Sequence, residues 1–191
     1  MPTTPSTLTV LLGSVTPPGR LHRAISTATD RATTRHDGLT VTTFDLAELD
    51  IPFADGAPPT GDTADVIETL SAASAVLIAT PIYRGSLTGS LKNLIDHIPV
   101  PALRDTPTAI ATMGASDHHF LGADRHLRDI LTFFGALVTP TSAYLTSRDF
   151  TDGLPSDDAL TRLDALIDSA LRLTTLGDEP FGPPPLGAGR G

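Results

Sequence analysis

The chain has 191 residues, 40% of them apolar, which is enough for one domain with a sizeable core. Thirteen Lys and Arg stand against 22 Asp and Glu, a formal charge of −9, so neither nucleic acid nor an anionic membrane is expected as a partner, and any bound phosphate needs a local site. The absence of cysteine excludes disulfides, thiolate metal sites, iron–sulfur clusters and cysteine nucleophiles.

MPTTPST opens the chain without a basic segment followed by an apolar one, and no apolar run approaches the roughly 20 residues of a membrane span. A cytoplasmic protein is expected. LTVLLG (Leu8–Gly13) reads as a buried strand. The turn that follows, LGSVTPPGRLH, carries two adjacent prolines. Its Ser14 and Thr16 offer hydroxyls, Arg20 a charged fork, and the helix beyond it free N–H groups. These features suit a phosphate monoester, and they equally suit a Pro-Pro-Gly turn ahead of a surface helix.

RLHRAISTATDRATTR (Arg20–Arg35) has helical spacing, LTVTTFDL (Leu39–Leu46) reads as a second strand, and TADVIETLSAAS after Asp62 as a second helix. AVLIAT (Ala75–Thr80) is a third buried strand. The helix after it sets Leu87, Leu91, Leu94, Ile95 and Ile98 on one side, with Lys92 and Asp96 as an i,i+4 ion pair. PTAIATM (Pro107–Met113) is the fourth strand. FLGADRHLRDILTFFG then aligns Phe120, Leu127, Ile130, Leu131 and Phe134, with Asp124 and Arg128 on a more polar face and Gly135 as a stop. ALVTPTSAYLT (Ala136–Thr146) is a less regular fifth strand. SDDALTRLDALIDSALRL follows, with Ser156 as its cap, Asp157 and Asp158 favoured by the helix dipole, and Leu160, Leu163, Ile167 and Leu171 facing inward. From Gly177 the chain is dense in Gly and Pro, which divides it into a folded domain, 1–176, and a flexible tail, 177–191.

This β-α alternation predicts an open parallel sheet of five strands with helices on both faces, an α/β/α three-layer fold of order 2-1-3-4-5. In such a sheet the ligand crevice lies beyond the carboxyl ends of the strands, near the switch point between the first and third. That selects three loops: Gly13–Arg20, Pro81–Thr88 and Gly114–His119. In the second, a Pro-x-Tyr segment supplies a stiff backbone edge and an aromatic wall suited to a flat heterocycle, or simply a connecting loop with a half-buried tyrosine.

TPIYRGSLTGSLKNLIDHIP closely resembles the flavin-contacting signature of the NAD(P)H-dependent FMN reductase family, in which T-P-x-Y-x-G/A-S precedes a helix carrying L-K-x-L/A-x-D. LLGS (Leu11–Ser14) and ATMGASDHHFLGADRHLRDIL extend the resemblance, which in order and spacing covers Leu8 to Leu173. It implies a flavodoxin-like fold, FMN as cofactor and NADPH or NADH as hydride donor. By similarity, Ser14, Thr16, Gly19 and Arg20 belong to the phosphate loop. Thr16 stands where the family carries an arginine, so Arg20 is expected to supply the charge. Pro81, Ile82, Tyr83, Arg84, Gly85 and Ser86 would line the isoalloxazine, and Gly114, Ala115 and Ser116 one of its edges. Met113 stands where the family often has a glycine. Some relatives that serve sulfonate monooxygenases carry an inserted residue that bulges the fourth helix, and Asp124, Arg125 and His126 occupy that neighbourhood here.

The resemblance implies hydride transfer from nicotinamide C4 to flavin N5, chemistry that the cofactors carry and that needs positioning rather than a catalytic triad. Candidate catalytic groups are therefore few. Arg84 could anchor an anion or reduced flavin, and His118 or His119 could supply a proton. Asp117, His118, His119, His126 and His22 lack metal-binding spacing, so no metal is expected. The implied function is reduction of FMN by NAD(P)H for a partner flavin-dependent monooxygenase. The alternatives are a flavoenzyme that reduces a small quinone, azo or nitro acceptor, and an electron carrier without nicotinamide turnover. The family's usual homodimer or homotetramer is implied in the same way.

Overall fold

The computed structural model describes residues 6–16, 18–177 and 179–185. The first five residues, on which part of the leader reading falls, Pro17 in the first loop, and the end of the Gly/Pro-rich tail lie outside this set. β1 (Thr7–Leu12), β2 (Thr40–Asp45), β3 (Ala75–Pro81) and β4 (Pro107–Met113) form a parallel sheet, with α1 (Arg20–Arg35), α2 (Asp62–Ser71) and α3 (Gly89–His97) in the crossovers. α4 (Gly122–Phe134) follows β4, and α5 (Asp157–Leu173) closes the domain. The strand order is 2-1-3-4-5, as the alternation predicts.

Strand alternation splits the core between two faces. Leu8, Val10 and Leu12 of β1 meet Leu21, Ala24 and Ile25 of α1 and Leu163 and Ile167 of α5. Leu11, Val76, Ile78 and Ile110 turn to the other face, against Val66, Leu70, Leu91, Leu94, Leu127 and Leu131. Leu91, Leu94 and Leu127 are completely covered. Each such burial is worth about 1.5–3 kcal/mol. No helix among the described residues is long and apolar enough to cross a membrane.

The second strand is the edge that this order predicts, with Thr40, Thr42 and Thr43 exposed, which Thr tolerates in a pleated position. Two expectations are corrected. The fifth strand is two pieces, β5 (Leu137–Val138) and β6 (Ala143–Leu145), both paired with β4. Pro140 lies in the gap between them, where its missing N–H and fixed φ interrupt a ladder. Phe120 precedes α4 and is 53% exposed, whereas Asp124, expected on a polar face, is 4% exposed. Arg128 explains the latter. Its Nε lies 3.0 Å from Asp124 Oδ2 and its Nη1 donates to the Thr139 carbonyl at 2.9 Å, so the carboxylate is buried with its counter-ion.

A short hairpin, β7 (Phe150–Thr151) and β8 (Leu154–Pro155), stands between β6 and α5 and packs on α1, where Arg23 Nε donates to the Gly153 carbonyl at 2.7 Å. At the opposite end of the sheet, the Phe181 amide donates to Asp105 Oδ1 at 3.3 Å, and Pro185 stands beside Gly135.

Candidate functional site

The three loops selected from sequence converge at the carboxyl edge of β1, β3 and β4. Gly13 N–H donates to the Ala79 carbonyl at 2.7 Å, which ties the first loop to β3. Pro81 pairs with Met113 in the β3–β4 register, and Ile82 N–H donates to the Met113 carbonyl at 2.8 Å, which ties the second loop to the third. Gly13 also permits close packing, because a Cβ there would stand 3.0 Å from Leu91 Cβ and 3.1 Å from Thr80 Oγ1.

In the first loop Ser14 is 9% exposed, and Thr16, Gly19 and Arg20 are exposed. Gly19 is the N-cap of α1 and contributes no side-chain bond. α3 and α5 are capped by Thr88 and Ser156, while α2 and α4 carry acids in their first turns. α1 has neither a side-chain cap nor an acid, so the positive end of its dipole and its first N–H groups remain unneutralised by the chain's own side chains. A phosphate suits that end. The guanidinium carbon of Arg20 lies 5.7 Å from the Phe150 ring centroid, a cation–π contact beside the loop.

The second loop is a two-residue turn. Tyr83 and Ser86 exchange backbone hydrogen bonds at 2.9 and 3.0 Å, and Arg84 (φ 53°) and Gly85 (φ 77°) between them both take positive φ. Glycine adopts that conformation freely, whereas arginine does so only at a cost of about 1 kcal/mol. Tyr83 is 46% exposed, an aromatic wall open to solvent. The turn rests on α4, where a Cβ on Gly122 would come within 3.0 Å of the Gly85 carbonyl and Ser86 Oγ lies 2.7 Å from His126 Nδ1. α4 itself is regular α-helix through Asp124, Arg125 and His126.

In the third loop Gly114 is buried, Ala115 exposed and Ser116 half-buried. Gly114 N–H donates to the Leu145 carbonyl at 3.0 Å, and Tyr144 Oη donates to the Ser116 carbonyl. A Cβ on Gly114 would run into Tyr144 Oη. Burial, then the nearby charges of Asp117 and Asp149, raise the Tyr144 phenol above its ordinary pKa, so it remains a donor. Ser116 Oγ lies 3.1 Å from His119 Nδ1, and His118 is exposed. The N–H groups of Arg84, Gly85, Ala115 and Ser116 have no partner among the described residues. These donors, on two adjacent loops, fit the acceptor-rich edge of a flavin, and Tyr83 fits its face.

Two residues of this architecture were not singled out in the sequence. Thr88 is fully buried. Its hydroxyl donates to the Gly13 carbonyl at 2.7 Å and accepts from Leu91 N–H at 3.3 Å, so one side chain caps α3 and holds the first loop. The signal was present, since a Thr just ahead of a periodic helix is an N-cap pattern. Tyr144 carries no such signal, because it reaches the third loop only through the β4–β6 register.

A family model described as NADPH-dependent FMN reductase matches residues 6–151, which include all three loops. The chain belongs to this FMN reductase family. Curated relatives agree. An NAD(P)H-dependent FAD/FMN reductase of Geobacillus thermodenitrificans is 38% identical over 112 residues, 57% of this chain and 60% of that protein. The NADH-dependent FMN reductase SfnF of Pseudomonas fluorescens is 41% identical over 86 residues, 45% of this chain and 46% of that protein. These alignments thus span about half the length of each relative. Among solved structures, an oxidoreductase of Corynebacterium diphtheriae superposes with a TM-score of 0.76 at 29% identity, over 91% of this chain and 98% of that one. An archaeal flavodoxin, with a TM-score of 0.58 at 13% identity over 87% of this chain and 98% of that one, shares the fold. This member of the FMN reductase family therefore has the flavodoxin-like architecture expected from its sequence.

Proposed function

We propose that this FMN reductase family member binds FMN at the three-loop edge and catalyses its reduction by NADPH or NADH. The observation that carries the reading is the convergence of an uncapped, acid-free helix N-terminus with two loops of free N–H donors at one sheet edge. Bound FMN supplies the hydride acceptor. Ser14, Thr16, Gly19 and Arg20 surround the phosphate end. The turn from Pro81 to Ser86 holds the ring system by its backbone, and Tyr83 covers a face. Gly114, Ala115 and Ser116 bound the remaining edge, and Tyr144 keeps that loop in place. No acid–base pair is required, since orientation of the two rings accounts for most of the acceleration.

Reduced FMN would pass to a separate flavin-dependent monooxygenase, and a homodimer or homotetramer is the expected assembly, both on the strength of the family resemblance. A second reading is direct reduction of a small quinone. It is supported by 35% identity over 99 residues to a quinone reductase of Escherichia coli, an alignment covering 49% of this chain and 50% of that protein. Nicotinamide oxidation, followed by absorbance with FMN alone and with FMN plus a benzoquinone, tests both readings. Oxidation no faster than a protein-free blank under either condition would sink the reductase assignment. Turnover that requires quinone would move it to the second reading.

A further inference from the structure

At the amino end of the sheet, opposite the three loops, two crevices of ≈ 820 and ≈ 230 Å³ have Arg104, Asp105, Leu137 and Phe181 as common walls. Phe181 is thus part of the partition between them. The strand beneath is held by a short ladder, since β4 shares six residue pairs with β3 and only two with β5, which stands at the end of the strand order. Asp105 and Gly135 meet at this corner in left-handed conformations, φ 56° and 72°, and the Asp105 N–H donates to the Gly135 carbonyl at 2.9 Å. The Asp105 carboxylate has two partners. Its Oδ2 lies 3.3 Å from Arg104 Nε, and its Oδ1 accepts the Phe181 amide at 3.3 Å. Gly135 gives Pro185 its seat, because a Cβ there would stand 3.0 Å from Pro185 Cγ.

We propose that residues 179–185 are a strap that closes over this corner, with Phe181 as its plug and Asp105 as its latch. The composition suits a cover. Pro183, Pro184 and Pro185 have fixed φ, so docking costs them little backbone freedom. They also lack N–H donors, so they lie beside an edge strand without adding a strand to it. Leu173 and Thr174, at the end of α5, line the larger crevice, and Thr132 and Gly135, at the end of α4, line the smaller. The closed strap therefore ties the ends of the two helices together across the start of β5. Its hold is light, one hydrogen bond and a ring still 48% exposed, so it lifts while the sheet stays folded. Lifting it joins the two crevices and uncovers Leu137. Because the three loops stand at the other end of the strands, the strap governs local opening of this corner and leaves the affinity for flavin alone.

Amide hydrogen exchange of the full chain, followed residue by residue by NMR without added flavin, tests the strap. The reporters are the Asp105 amide, bonded to the Gly135 carbonyl, the Ala136 amide, bonded to Leu131, and the Leu137 amide, bonded to Thr106. Phe181→Ala should speed exchange at all three by about fivefold or more and lower Tm by about 2–4 °C, the effect of removing a half-covered aromatic ring. The Gly13 amide, bonded to Ala79 at the far edge, should keep its wild-type rate. Phe181→Leu, which retains an apolar plug, should recover most of the protection. Leu176→Ala removes an exposed side chain that lines neither crevice and should leave the three reporters unchanged. Wild-type exchange at the three reporters in both Phe181→Ala and Phe181→Ala/Pro185→Ala would overturn the strap. Equal acceleration at Gly13 and at the corner would also overturn it, since the loss would then be global. The dissociation constant of FMN, measured separately by flavin fluorescence, should stay within about twofold in Phe181→Ala, and a larger change would overturn the independence of the strap from the flavin edge.

Discussion

Gly114→Ala separates packing from ligand contact in the third loop. An added Cβ would collide with Tyr144 Oη, stand 3.1 Å from Tyr144 Cζ and 3.3 Å from His119 Cβ. Tyr144 must swing aside and give up its bond to the Ser116 carbonyl. Overpacking a tight site costs about 1–3 kcal/mol and the lost hydrogen bond about 1 kcal/mol. The expected destabilisation is therefore about 2–4 kcal/mol, or a Tm lower by about 4–16 °C for a chain of this size. Thermal unfolding by circular dichroism, without and with FMN, reads it. Tyr144→Phe removes the oxygen that the new methyl strikes, so Gly114→Ala should cost much less in that background than in the wild type. An equal cost in both backgrounds would refute the clash argument. A Gly114→Ala protein with wild-type Tm would refute the tight packing altogether.

Arg20→Ala should weaken FMN about tenfold and riboflavin hardly at all, because only FMN carries a phosphate. Equal losses, measured by fluorescence quenching, would confine Arg20 to its contact with Phe150. Arg128→Gln leaves Asp124 buried without its counter-ion and should lower stability in urea by about 3 kcal/mol, and Asp124→Leu/Arg128→Leu should recover most of it. A larger loss in the double variant would show that the pair is net stabilising. Asp168 joins α5 to α1 through Arg35 and His36, at 2.9 and 2.8 Å. Burial pushes its carboxyl up, but hydrogen bonds from His36 and Arg35 outweigh this and hold it below the ordinary value of 3.8. A lowered folded pKa contributes stability that is full above the unfolded pKa and disappears as pH falls through the folded one. Asp168→Asn should therefore cost about 0.2–1 kcal/mol at neutral pH, the exposed setting keeping it small, and nothing once the pH is well below 3.8. A gap between the two proteins that persists in strong acid would contradict this.

Much of the site was legible before any tertiary contact, because its parts are local. Buried parallel strands announce themselves by apolar runs, and Ser156 begins α5 and Gly135 ends α4 as its side chain, or lack of one, dictates. Tyr83 to Ser86 lie in four consecutive residues, so a turn could be read there. Its positive φ at Arg84 could not, since nothing about arginine asks for that conformation.

What the sequence by itself determined is the succession of strands and helices, and with it the edge at which the three loops must meet, since parallel β-α units leave their crevice at the carboxyl ends of the strands. The partners across that edge were decided only by tertiary structure. Asp124 is buried rather than solvated because Arg128, one turn along the same helix, pairs with it while also donating to the Thr139 carbonyl beside the interrupted fifth strand. Tyr144 braces Gly114 and Ser116 because β6 pairs with β4 at one register and no other. The turn at Gly85 rests on the start of α4 because Gly122 has no Cβ, which would stand 3.0 Å from the Gly85 carbonyl. Periodicity reports which face a residue occupies. It carries no information about which distant side chain shares that face.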